Sequence, residues 1–325
     1  MTDWRAQPKV ELHLHLEGAA PPAFIRAEAA RKGVDLSAIF NADGSYRWRD
    51  FGEFLKVYEA ASSVLTGPDE YWRLAEAVMR ASREDGVIYA EAFLAPQLIG
   101  EGDEGAWAEH FAAIREGAAA VAGIEARFIA ICVRHRGAAA ADWAARVAAR
   151  TEGLAGFGMA GDERFGEPAD YARAFAIARD AGLPVTAHAG EICGAESVRG
   201  ALDHLKVGRI GHGVRAVEDP ELVRRLAEEG VVLEVNPGSN LALGLYPGWA
   251  AHPIAALDAA GVAVTVSTDD PPYFHTSLPH EYACLHEAFG WGAGDFARLN
   301  RIAMRAAFCD EATRAAMLAR LEAES

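Results

Sequence analysis

Between Val10 and Gly18 apolar and polar residues alternate strictly, Val-Glu-Leu-His-Leu-His-Leu-Glu-Gly. A period of two predicts a β-strand with one face in a core, and His13 and His15 then share a face. Gly18 and the pair Pro21-Pro22 break the pattern, and a helix is predicted over 23–33. Asp50 is placed to cap a second helix, with Phe51, Phe54, Leu55 and Tyr58 at helical spacing. A third is predicted over 69–85, opened by Pro68 and acids and closed by Gly86.

From Val87 onward short apolar runs alternate with helical patterns. Strands are predicted over 87–95, 125–133, 154–161, 184–189, 209–214, 231–235 and 262–267. Helices are predicted between them over about 105–121, 138–151, 168–181, 194–204, 219–229 and 253–260, and three more over 279–289, 294–307 and 310–323 end the chain. With the opening strand that makes eight near-continuous apolar strands separated by helices, the mark of a parallel sheet buried on both faces. Eight such units in about 300 residues indicate an α/β fold of the (β/α)₈ TIM-type barrel, with extra helices after strand 1 and at the C-terminus. An open doubly wound sheet is the alternative. No Pro/Ser-rich linker or shift in composition divides the chain, so residues 1–325 read as one domain.

Composition narrows the partners. The chain has 325 residues, 51% of them hydrophobic and 24% charged, with a net charge of −16. Such a field repels phosphate backbones and anionic bilayers, so neither nucleic acid nor a membrane surface is expected. Cys132, Cys193, Cys284 and Cys309 lie far apart without a CxxC pair, which suits a reducing compartment. The N-terminus MTDWRAQPKV lacks the basic-then-apolar order of a signal peptide, and no apolar run is long enough to span a bilayer. A cytoplasmic protein is expected. Nothing in the sequence speaks to protein partners.

Barrel enzymes place their chemistry at the C-terminal ends of the strands. Strand 1 ends there with His13, His15 and Glu17, and strand 4 with Ala160-Gly161-Asp162-Glu163. Strand 5 ends with His188-Ala189-Gly190-Glu191, and strand 6 carries Gly211-His212-Gly213. Strand 7 ends at Glu234 and Asn236, and strand 8 at Ser267-Thr268-Asp269-Asp270-Pro271. Paired histidines on a strand are either half of a metal site or buried side chains bonded to backbone. An Asp pair before Pro271-Pro272 is either a turn and helix cap or a cation site. Their convergence on one rim favours the metal reading. Three imidazoles and a carboxylate suit one catalytic divalent ion, zinc by choice of donors.

These motifs, in order from about residue 8 to the end, resemble the adenosine/adenine deaminase family of the amidohydrolase superfamily. The resemblance rests on HxHxEG, His188-Ala-Gly-Glu191, Gly211-His212-Gly213 and Ser267-Thr-Asp-Asp-Pro271, and is closest to adenosine deaminase. It implies one Zn²⁺ per chain held by His13, His15, His188 and Asp269, with Glu191, His212 and Asp269 as catalytic residues. Glu191 would protonate purine N1, and His212 would orient or deprotonate the attacking water. Asp270 would accept from protonated N7, the Gly161 N–H would bond N3, and His15 and Glu17 would face the substrate. Zinc lowers the pKa of water from about 16 to about 7, so hydroxide is available to attack C6 before ammonia leaves. Glu191 must be a neutral acid, which requires a raised pKa in a dry pocket. Spacing alone favours core packing for Phe51, Phe54 and Leu55, but they lie where the family has a hydrophobic lid over the substrate, and the resemblance brings the lid reading level with it. Leu154–Asp162 contains no lysine to bridge two metals, which favours a single ion.

The expected reaction is hydrolytic deamination of adenosine or 2′-deoxyadenosine to inosine or 2′-deoxyinosine, a small-molecule 6-aminopurine nucleoside being the partner. Alternatives are adenine to hypoxanthine, or another 6-aminopurine nucleoside. The nucleoside enzymes of the family commonly have Asp where Glu17 stands, and Glu is more usual in the adenine enzymes. Ala160–Glu163 and Ser267–Asp269 resemble the nucleoside enzymes, and these two segments set the choice. A two-metal ester or phosphate hydrolase and a non-catalytic binding protein are the more distant readings. Gly156-Phe-Gly-Met-Ala-Gly161 matches GxGxxG but opens no helix, so it is not read as a dinucleotide site. His110, His135, His204, His252, His275, His280 and His286 are expected on the surface or on helices, with His275 alone near enough to the Asp pair to border the pocket.

Overall fold

A computed structural model describes residues 3–324; the first two residues of the N-terminal stretch read above lie outside it. Eight strands run in chain order around one sheet: β1 (Lys9–His15), β2 (Val87–Leu94), β3 (Glu125–Val133), β4 (Gly156–Ala160), β5 (Val185–Ala189), β6 (Arg209–His212), β7 (Val232–Val235) and β8 (Ala263–Val266). Every neighbouring pair is parallel. The sheet is a nearly closed (β/α)₈ barrel with helices around it, as the apolar runs require when both faces are covered.

Three helices, α1 (Pro22–Lys32), α2 (Phe51–Ser62) and α3 (Pro68–Glu84), are inserted between β1 and β2. The Asp50 side chain caps α2 by accepting from the Glu53 N–H at 2.9 Å. Around the barrel follow α4 (Glu104–Ala119), α5 (Ala138–Arg150), α6 (Ala172–Asp180), α7 (Ala195–Gly200), α8 (Pro220–Glu229), α9 (Pro237–Ala242) and α10 (Ile254–Ala259). The chain ends in α11 (Leu278–Phe289), α12 (Ala293–Ala306) and α13 (Glu311–Glu324).

Two elements differ from expectation. The helix predicted over 194–204 is α-helical only to Gly200, then widens into a π turn over Ala201–Leu205 that stops at Lys206. Helix α9 lies where no element is predicted, in Asn236-Pro-Gly-Ser-Asn240, all turn-forming residues. Tertiary contact overrides that preference. Buried Glu281 of α11 accepts from the Gly238 N–H at 3.0 Å, satisfying one of the free donors at the α9 N-terminus.

Between β8 and β1 the ladder is carried by residues just past β8. Asp269 N–H donates to the His13 carbonyl at 3.1 Å, and His15 N–H donates to the Asp269 carbonyl at 3.0 Å. Leu12 N–H donates to Ser267 Oγ at 3.2 Å. Helix α12 packs over this seam, where Asn300 accepts from the Val10 N–H and donates to the Pro8 carbonyl. The closure that completes the barrel thus also sets Asp269 against both strand-1 histidines.

The interior carries a buried charge chain. Arg209 of β6 reaches across to Glu91 of β2 at 2.7 Å and to Glu234 of β7 at 2.6 Å, with all three side chains excluded from water. The guanidinium also stacks on Phe308, 3.7 Å from the ring centroid. One cation between two carboxylates leaves both exposed to uncompensated burial when it is removed. Arg209→Met is therefore expected to cost about 3–5 kcal/mol of stability. Urea denaturation checks this, and an unchanged midpoint would refute it.

Candidate active site

A cavity of about 390 Å³ opens at the C-terminal ends of the strands. All the site residues named from the sequence line it except His13, which lies fully buried beneath. His15, Glu17, Gly161, His188, Glu191, His212, Asp269 and Asp270 form its floor and lower walls; Phe51, Phe54 and Leu55 of α2 cover one side. Phe54 also packs on Trp48, Tyr58, Tyr273 and Phe274. The α2 stripe is both core and cover, so neither reading of it alone was sufficient.

On the floor, His13, His15, His188 and Asp269 each bring one ligand atom within 4.8 Å of the others. His15 Nε2 stands 3.2 Å from His188 Nε2 and 3.4 Å from Asp269 Oδ1, and His13 Nε2 stands 3.5 Å from Asp269 Oδ1. Ligands about 2.0–2.1 Å from a tetrahedral cation would be roughly 3.3 Å apart, so the spacing fits a metal. The buried Nε2 of His13 has no hydrogen-bond partner. Burial brings His15 down to about 4 and His188 well below the usual imidazole range, so both keep lone pairs free. Burial opposes a charge on His13 too, but Asp269 and Glu234 outweigh it and raise it to about 9. The site favours a positive charge where these atoms meet. These residues fit a divalent metal.

Buried Glu234 accepts from His13 Nδ1 at 2.9 Å, which turns Nε2 toward the cluster. Burial works against its ionisation, but Arg209 and His13 overcome that and hold Glu234 down at about 2. Thr186 Oγ1 donates to its other oxygen at 2.9 Å. Asp269 stays ionised despite burial because His13, His212 and His15 surround it. Asp270 beside it is driven the other way, by burial first and then by Asp269, Glu191 and Glu17. Its Oδ1 is buried and unpartnered. A Cβ on Gly18 would stand 1.5 Å from that atom, so only glycine admits the Asp270 carboxyl there. His212 and Asp269 hold the left-handed conformation, φ +61° and +67°, strain that recurs at working residues.

Glu191 is buried against His212 and Asp269. Desolvation pushes its carboxyl well up, and Asp269 and Glu163 add to the effect. Its backbone is anchored by Glu163, whose carboxylate accepts from the N–H groups of Gly190, Glu191, Ile192 and Cys193 and from Ser197 Oγ, all at 2.5–3.1 Å. Gly161, at φ +99°, lies opposite; a Cβ there would meet His135 Nδ1 at 2.9 Å.

Several contributors were not foreseen. Glu163 and Glu234 stood on the predicted rim without a role. A charged residue in the otherwise apolar run Val232-Leu-Glu-Val235 was the available signal for Glu234. Tyr71 donates to Glu17 at 3.2 Å, and Phe93, Leu98, Ile131, Leu243 and Phe274 are among the other residues of the cavity wall. Among the seven remaining histidines, His135 sits exposed at the mouth. His275 is exposed and outside the cavity lining, because the left-handed turn at His275 (φ +53°) follows the buried Tyr273-Phe274 anchor and leads away. His110 is on a helix, as expected, and is buried there, whereas His252 is buried in a loop, contrary to the expectation. After β4 the GxGxxG stretch leads into turns rather than a helix, as its following residues imply.

The chain matches the family model described as adenosine deaminase over residues 8–324. It is 50% identical over 323 residues to the adenine deaminase of Agrobacterium fabrum, spanning 96% of this chain and 97% of that protein. It superposes on the crystal structure of adenine deaminase from Arthrobacter aurescens with a TM-score of 0.85 and 30% identity, covering 97% of this chain and 98% of that one. A Zn-bound amidohydrolase from Burkholderia ambifaria matches with a TM-score of 0.88 and 29% identity, over 99% and 91% of the two chains.

Proposed function

This chain belongs to the adenosine deaminase family, and from that premise we propose that it hydrolyses free adenine to hypoxanthine and ammonia. The observation that carries the choice of base over nucleoside is Glu17. Its carboxyl is buried in the cavity wall, bonded to the Tyr71 hydroxyl, and pushed up to about 7 by desolvation. A free base bears an N9–H that a nucleoside has replaced with ribose carbon. Glu17 supplies an acceptor for it, with a side chain one methylene longer than the Asp expected in a nucleoside enzyme. The 50% identity to a protein named adenine deaminase supports the same choice. Adenosine, the substrate expected from Ala160–Glu163 and Ser267–Asp269, becomes the second reading.

Zinc in the His13, His15, His188 and Asp269 set would supply Lewis acidity, bringing the pKa of water toward 7. The protein's own groups then direct the reaction. Asp269 takes the proton of the attacking water as its oxygen bonds to C6, and then passes it to the 6-amino group, so that the C6–N6 bond breaks and ammonia leaves. Glu191, protonated in its dry pocket, gives a proton to N1, so negative charge does not build on the ring as C6 becomes tetrahedral. Asp270 hydrogen-bonds N7, and the Gly161 N–H bonds N3. His212 holds the attacking oxygen. Phe51, Phe54 and Leu55 exclude bulk water, which strengthens each polar contact.

Turnover of adenine, adenosine and an adenosine altered at the 5′ position discriminates the readings. Adenine is expected to exceed adenosine in kcat/KM by about 10²-fold or more, the penalty for leaving buried Glu17 unpaired. Faster turnover of adenosine would overturn the free-base assignment.

A further inference from the structure

Behind His212 lies a line of buried polar groups that the chemistry above does not use. His252, in the loop before α10, is 3% exposed, and burial alone brings it down to about 3, so it is neutral. Its Nδ1 lies 3.2 Å from the Ile254 backbone N–H, a group that can only donate. Nδ1 must therefore present its lone pair, and the ring proton must sit on Nε2. That Nε2–H lies 3.1 Å from Asn240 and needs an acceptor, which fixes the amide oxygen on this side. The Asn240 NH₂ group then faces His212 Nδ1, at 3.2 Å.

A second amide gives the same answer independently. Asn236 Nδ2 is 3.2 Å from the Glu234 carbonyl, which can only accept, and 3.4 Å from His212 Nδ1. Both amides are thus oriented by backbone groups whose polarity cannot reverse, and both point N–H at the same ring nitrogen. Glu191 Oε1, at 3.7 Å, is outside hydrogen-bond reach of it. The remaining ring nitrogen, Nε2, stands 3.8 Å from Asp269 Oδ2, facing the reaction centre.

We propose that Asn240 and His252 are positioning residues that hold His212 as the neutral tautomer protonated at Nε2, so that it meets the attacking oxygen as a hydrogen-bond donor. The tautomer follows from the donor order alone; its catalytic meaning rests on the deaminase reading above. A ring held this way has no lone pair facing the water, so His212 orients the oxygen and leaves its proton to Asp269. Helix α9, which the turn-rich sequence concealed, exists in part to carry Asn240 into this line.

The metal-loaded protein labelled with ¹⁵N-histidine tests the proposal, the His212 signals being identified by their loss in His212→Gln. The expected spectrum has His212 Nε2 of the protonated, pyrrole type and Nδ1 of the bare, pyridine type. The reverse assignment would overturn the proposal without any activity measurement. Asn240→Asp places an acceptor at Nδ1. It is expected to draw the proton there and to lower kcat by about 10²-fold or more, with KM and bound metal unchanged. An unchanged kcat in a variant whose tautomer has moved would also overturn it. His252→Gln keeps a donor for Asn240 and an acceptor for Ile254, and is expected to retain tautomer and activity where His252→Phe loses both. Equal loss in the two would reduce His252 to packing and sink its assigned role. Should the wild-type protein deaminate no 6-aminopurine, the functional reading falls while the nitrogen spectrum still decides the tautomer.

Discussion

Glu191→Gln is expected to lower kcat by about 10²–10⁴-fold while the protein keeps its metal and its melting temperature. Gln matches Glu in shape, so the loop anchored by Glu163 has no reason to move. What disappears is the proton for N1. Desolvation, then Asp269 and Glu163, keep that proton on Glu191 well above the usual carboxylate range. The sign of the pH dependence follows. In the proposed acid role the protonated form is the active one, so wild-type activity is expected to persist through neutral pH and to fall as pH climbs past the raised value. Residual activity of the variant should lack that alkaline fall. Near-normal turnover by Glu191→Gln would remove the residue from the chemistry.

His188→Ala should act at an earlier point, by losing the metal itself. His188 contributes one of four converging ligand atoms, and its ring otherwise only packs among His13, His15, Phe93 and His212. Its removal deletes a ligand without breaking an ion pair, so the barrel should persist. Metal content measured by elemental analysis is expected to fall below about a tenth of the wild-type value, and activity to background. Circular dichroism should remain native. A variant that retains stoichiometric metal would show that His188 is not a ligand. Together the two substitutions separate a protein that binds its metal but cannot deliver a proton from one that cannot hold the metal.

The eight strands were legible because each is a short apolar run, and burial on both faces demands that composition. The cluster of His13, His15, His188 and Asp269 was legible because His13-x-His15 alternates on a strand and each other motif stands at a strand end. Glu163 stands at the end of strand 4, yet nothing local indicates that its carboxylate gathers four backbone N–H groups from a loop some 27 to 30 residues on. Glu234 and Arg209 are separated by 25 residues and Glu91 is on the opposite side of the barrel, so their pairing is visible only once the sheet closes. Helix α9 was hidden because its residues prefer turns, and a free donor at its N-terminus is satisfied by Glu281 on a distant helix.

The sequence by itself determined the barrel and its inserted and terminal helices, and it pointed to His13, His15, His188 and Asp269 as a cluster with Glu191 beside it, since each of these is written in local periodicity or in a short motif. Only the tertiary structure decided the depth of Glu17, the opposite directions in which the Asp269 and Asp270 carboxyls are driven, and the amide groups that face His212 Nδ1. The physical reason is that protonation depends on what surrounds a group in space. Burial and the direction of neighbouring donors arise from segments far apart in the chain, and become definite only when the last strand meets the first.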